Sequence, residues 1–183
     1  MQTLGATDNL LAFEDFNFGA NAWSQNATSD RLGGLGPVLG PFTDDAVSRT
    51  FQLPVNTQHL RVTFDVHLHG GWEAADAMRV MLDDNEVVSL TLADIGTEQA
   101  RLDVSVAEGH STAVNVEQTR FAARPAEPAL PGVEDAAIIS LRVTLMTAPS
   151  SDQLTLDLTA RVDDGASWTL DNLAVVATTD GAA

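Results

Sequence analysis

Two histidines and a glutamate come closest to a reactive pattern in this chain. In HLHGGWE, one residue separates His67 from His69, and Glu73 follows. Side chains two apart on a strand share a face, so both imidazoles would project the same way. Two neutral imidazoles and a carboxylate, with His110 as a third imidazole, would suit zinc, manganese or iron and leave a position open for chemistry. His59 stands too far along the same strand to join His67 at one metal. Without a metal, the same residues read as the solvated face of a strand whose other face is buried.

A carboxylate and an amide mark a second place. In GASWTLDNLAVVATT, Trp168 and Leu170 share one alternating phase, while Leu173, Val175 and Ala177 sit in the other. A phase flip across Asp171-Asn172 requires an inserted residue, a bulge or a break in the strand. Trp23 and Trp72 lie beside Asn21 and Gly70-Gly71, where an indole could stack on a sugar ring while amides take its hydroxyls. Packing at strand ends is their alternative use, and with 5% aromatic residues the chain is a sparse platform for sugar. Trp168 belongs to the apolar phase.

Other chemistry finds no support. Asp44-Asp45, Asp83-Asp84 and Asp163-Asp164 fall in turn-like stretches, as solvated charges and not the opposed acid and base of a glycosidase. The chain has no nucleophile elbow, phosphate-binding loop, dinucleotide fingerprint or EF-hand loop. The absence of cysteine excludes disulfides and thiolate sites. The formal charge of −17, with nine arginines and no lysine, disfavours nucleic acid and anionic membrane. No stretch is apolar enough to insert as a transmembrane helix. Asn26-Ala27-Thr28 matches a glycosylation sequon.

The elements that must carry these residues are strands. HLRVTFDVHLH (59–69), AIISLRVTLMT (137–147) and LTLDLTARV (154–162) alternate cleanly, and weaker runs cover 46–53, 78–82, 87–92, 101–106 and 112–118. DDNE at 83–86 reads as a hairpin turn, and EAADAM at 73–78 is the best short helical candidate. Arg49 shares the phase of Val47, Phe51 and Leu53, as expected of a half-buried arginine paired with a carboxylate. Proline-rich 120–135 reads as a long surface loop. Antiparallel strands with one dry face must stack in two sheets, which predicts one all-β antiparallel β-sandwich of the jelly-roll kind over 9–178, an N-terminal extension at 1–8 and a frayed tail at 179–183.

LLAFEDFNFGANAWS near the start and WTLDNLAVV near the end resemble the bracketing segments of jelly-roll carbohydrate-binding modules of secreted polysaccharide-degrading enzymes. LGPF, VSRTFQLP and VTFDV…GGWE are similar to a related domain of large secreted bacterial calcium-binding proteins. This resemblance implies a buried structural calcium near the chain ends, with Glu14 and Asp171 as ligands and Asp15 as a further one, although Asp15 alternates away from Glu14. Calcium takes six to eight oxygens, and a bulge would free carbonyls for it. An ordinary turn at Asp171, with Glu14 as an edge charge, is the alternative. The chain departs from the pattern at HLHGGWEAAD, where imidazoles replace an acidic loop and put a second calcium in doubt. The His67, His69, Glu73 run resembles half of the metal signature of cupins, yet Arg61 and Val80 stand where that signature has glycines, and the second half is not found around His110.

The resulting expectation is a non-catalytic, calcium-stabilised binding or adhesion module recognising carbohydrate or a surface protein. Its place would be extracellular or at a cell surface, reached without a recognisable signal peptide at residues 1–16 or as part of a larger protein. One alternative is a self-assembling structural subunit of a filament, surface layer or virion. The other is a cupin-like metalloenzyme built on a transition metal.

Overall fold

The computed structural model describes residues 7–29, 36–73, 75–93, 101–107, 112–122, 138–162 and 165–179. These form strands β1 (Asp8–Glu14), β2 (Thr28–Ser29), β3 (Val38–Phe42), β4 (Ala46–Gln52), β5 (Thr57–Gly70), β6 (Ala77–Leu82), β7 (Asn85–Ala93), β8 (Arg101–Val106), β9 (Ala113–Ala122), β10 (Ile138–Thr147), β11 (Gln153–Arg161) and β12 (Ala166–Thr179). No helix occurs among the described residues, and the helical reading of 73–78 gives way to a turn. There Asp76 Oδ2 accepts from the Glu73 amide at 2.7 Å, and β6 then starts at Ala77. The loop expected at 120–135 begins later, because β9 runs to Ala122; the rest of it lies outside the described residues.

Alternation decides which face is dry. Leu60, Val62, Phe64, Val66 and Leu68 of β5 join Ile139, Leu141, Val143 and Leu145 of β10 and Leu154, Leu156 and Leu158 of β11 in one apolar core. Cutting any one of these leucines to alanine would cost about 2–5 kcal/mol in lost transfer and a residual cavity. The strands divide into two antiparallel sheets. One has the order β2-β3-β12-β5-β10-β9, with β1 also paired to β12; the other has the order β4-β11-β6-β7-β8. Passing from β3 to β4, β5 and β6, and again from β10 to β11 and β12, the chain changes sheet at every step. The quartet β3-β12-β5-β10 thus faces β4-β11-β6-β7, the roll expected from the sequence.

The flip in the last strand is a bulge. Asp171 stands opposite Asp65 and Ala174 opposite Thr63, so Asn172 and Leu173 together oppose Phe64. Asn172 takes φ 51°, in the left-handed region that asparagine tolerates. The inserted residue resets the side-chain phase, and Trp168, Leu170, Leu173, Val175 and Ala177 all enter the core. At the other predicted turn, Asp83 and Asp84 both have positive φ (49° and 63°), the signature of a two-residue primed hairpin. These aspartates are more than solvated charges: Asp83 Oδ1 accepts the Thr155 amide at 2.8 Å, and Asp44 Oδ1 likewise accepts the Val162 amide at 2.7 Å.

Candidate functional site

Around the bulge, the outer face of the β1-containing sheet gathers charge. Asp65, buried on β5, receives a forked pair of bonds from Arg142 of β10, with Nε and Nη2 each at 2.8 Å. The fork raises the Arg142 pKa and fixes the pair side-on. On the other flank, Asn172 Nδ2 lies 3.0 Å from Asp65 Oδ2 and 3.1 Å from Asp171 Oδ2, while the Asn172 amide donates to Asp171 Oδ1 at 2.7 Å. Burial pushes the Asp171 carboxyl up to about 6, against the opposing backbone bond from Asn172 and with help from the charges of Asp65 and Asp15. Asp15 is turned to solvent and held below the usual carboxylate range by its bonds from Asn17.

β1 does run beside β12, so the first and last strands meet as the sequence implied. The proposed calcium ligands, however, do not converge. Glu14 lies opposite Leu173, a core residue, and opposite residues of an antiparallel pair share a face. Its carboxylate therefore points to the inner side of the sheet, where Arg49 of the other sheet binds it. Asp171 lies opposite Asp65 on the outer side. Glu14, Asp15 and Asp171 do not fit one calcium in this arrangement, because a guanidinium already neutralises Glu14 and the sheet separates it from Asp171. Among the described residues no group of three or more histidine, aspartate or glutamate side chains is placed to hold a metal ion. Arg49 fulfils its expectation: half-buried, it bridges the two sheets and lies 4.8 Å over the Phe51 ring.

The histidines are not on a solvated face. His69 is 1% exposed, and His67 is buried too. A hydrogen bond of 2.8 Å joins His67 Nδ1 and Ser140 Oγ, and one of 3.0 Å joins His69 Nε2 and Thr169 Oγ1. Each bond runs sideways along the sheet, since β10 and β12 flank β5 and set Ser140 and Thr169 opposite His67. Burial, reinforced by the neighbouring His67, pushes the His69 pKa down to about 3 and keeps its ring neutral. Glu73 is exposed, unlike these buried rings, and His110 lies outside the described residues. His67, His69 and Glu73 thus do not gather into the half-site that the spacing suggested.

The indoles are buried as well. Trp72 is 2% and Trp23 5% exposed, so neither offers a face to a sugar. Trp72 follows Gly70, whose φ of +85° turns the chain at the end of β5, and its indole Nε1 donates to Ser167 O at 3.1 Å. A Cβ at Gly70 would stand 2.0 Å from the Gly165 carbonyl oxygen. Trp23 packs on Phe16, their ring centroids 6.2 Å apart.

The exposed aromatics are phenylalanines. Phe13, opposite Ala174 on the outer face of β1, is 60% exposed. Phe18 is 97% exposed at the tip of the turn closed by the bond from Gly19 N to Phe16 O at 3.1 Å. Asn17 and Asn21, both exposed, flank it. The sequence hid this pair, because FEDFNFGANAW holds four aromatics in eleven residues and alternation alone does not say which of them leave the core.

The fold is an all-β jelly-roll sandwich in which Glu14, Asp65, His67 and His69 are tied into internal contacts. Comparison with protein-family models, with curated proteins and with solved structures finds no match.

Proposed function

We propose that this chain is a non-catalytic recognition module of the jelly-roll carbohydrate-binding kind, meeting its ligand at the segment that leaves β1. The observation that carries the reading is the exposure of Phe13 on β1 and of Phe18 in the turn that follows it, with the exposed Asn17 and Asn21 flanking Phe18 along the chain. An aromatic face covers the apolar C–H side of a sugar ring, and neighbouring amides both donate to and accept from its hydroxyls. Support also comes from the groups that could have done acid–base or metal chemistry. Glu14 is bound by Arg49, Asp65 by Arg142, His67 by Ser140 and His69 by Thr169. The Arg49–Glu14 bridge joins the two sheets, and Arg142 and Asn172 bind the carboxylates around the bulge. A glycan array probed with the wild-type protein and with the Phe13→Ala/Phe18→Ala variant tests the reading: sugar binding lost in the variant supports it, and a wild-type protein that binds no glycan overturns it.

A further inference from the structure

The outer face of the other sheet carries a different chemistry. Of the five arginines whose side chains are described, Arg49 and Arg142 pair with Glu14 and Asp65. Arg79 stands 3.5 Å from Glu86, but their side chains are 60% and 42% exposed, and such a pair contributes little. Arg161 has no ion pair among the described residues. The register of β11 on β6 sets Thr159 opposite Arg79 and Ala77 opposite Arg161. Two guanidinium stems therefore stand as diagonal neighbours on one exposed face, with a hydroxyl and a methyl group between them. Together with Ala75 and Ala160 they line a shallow, open depression.

Like charges placed this way repel each other. The chain has 26 carboxylates, yet the positions between these two arginines hold alanine and threonine. Two cations around a floor of small side chains suit a flat ligand that brings its own negative charge. We infer that this depression binds a carboxylate-bearing sugar, a uronate within an oligosaccharide. The guanidinium fork matches a carboxylate bidentately, Thr159 can bond a ring hydroxyl, and the alanines leave room for the ring itself. The net charge of −17 repels dense polyanions such as nucleic acid, which leaves glycans whose acidic groups are spaced by sugar rings. The ligand class rests on the recognition reading above, but the site lies on the opposite sheet from Phe13.

The test is calorimetric titration with oligomers of galacturonate, glucuronate and mannuronate, each as the free acid and as its methyl ester, alongside neutral oligosaccharides. The proteins are wild type, R79A, R161A, the double arginine variant and Phe13→Ala/Phe18→Ala; both arginines are exposed, so the melting midpoints of their variants should match wild type. The expected result is that at least one free acid binds, its ester binds at least tenfold more weakly, and each single arginine variant loses about fivefold to tenfold. Equal binding of acid and ester, or unchanged affinity in the double arginine variant, overturns the arginine site and leaves the recognition module standing. Binding of neutral sugars only has the same effect. Failure of every sugar to bind wild type overturns both.

Discussion

One side-chain amide, that of Asn172, reaches two carboxylates at once, Asp65 at 3.0 Å and Asp171 at 3.1 Å. It can do so because the bulge puts an extra residue at that point of β12 and turns it to the outer face. Asn172→Gly keeps the positive φ and removes the amide. The two carboxylates then face each other with one shared donor fewer, at an expected cost of about 1–3 kcal/mol near neutral pH. The loss should shrink in mild acid, where Asp171 takes up a proton and the repulsion fades. Denaturant unfolding of both proteins at two pH values measures this, and equal penalties at both would contradict it.

Asp171 and His69 should pull the stability curve in opposite directions. The folded protein raises the Asp171 pKa to about 6, above the ordinary 3.8, so the folded state holds a proton that the unfolded chain has released. That contribution is greatest below the ordinary value and is lost as pH rises through about 6. His69 is held at about 3 against an ordinary 6.5, so the unfolded chain takes up a proton that the folded state refuses. Stability from His69 is full above 6.5 and falls as pH drops. The Asp171 effect amounts to roughly 3 kcal/mol at most and the His69 effect to roughly 5, but between pH 4 and 6 each changes by one proton in opposite directions, so their slopes largely offset. Asp171→Asn should unmask the effect of His69 and lose stability on acidification faster than wild type. His69→Gln should show the reverse slope. Parallel curves for all three proteins would contradict this account.

Much of the scaffold was legible because period-two alternation is a direct consequence of strand geometry. The sequence runs for β5, β8, β10 and β11 match the observed strands to within a residue or two, and the phase flip at Asp171 located the bulge. Arg49 was legible for the same reason, since a cation in an apolar phase needs a partner. Alternation, however, gives only the face and not what lies over it. His67 and His69 do face away from the core, as their phase required, yet they are buried. Nor does it give direction at strand ends. A positive φ at Gly70 carries Trp72 inward, while the turn after Phe16 leaves Phe18 outside, and neither event has a periodic signature.

Calcium removal should leave the fold unmoved. A calcium held at a hundred times its dissociation constant adds about 2.7 kcal/mol, which would move a melting midpoint by several degrees. Here the charges that calcium would have answered already have internal partners in Arg49, Arg142 and Asn172. Thermal melts in EDTA and in millimolar calcium should coincide. A midpoint that climbs with calcium would restore Glu14, Asp15 or Asp171 as ligands.

The Arg49–Glu14 bridge should instead be the sensitive contact between the sheets. Arg49→Ala leaves Glu14 half-buried with no guanidinium opposite and strips the stem from the Phe51 ring, at an expected cost of about 2–4 kcal/mol. Replacing both residues, as Glu14→Gln with Arg49→Met, removes the uncompensated charge and keeps the packing, so the double variant should be more stable than Arg49→Ala alone. The comparison separates an electrostatic role from simple space-filling. If Arg49→Ala and the double variant unfold at the same denaturant concentration, the carboxylate was never dependent on its arginine.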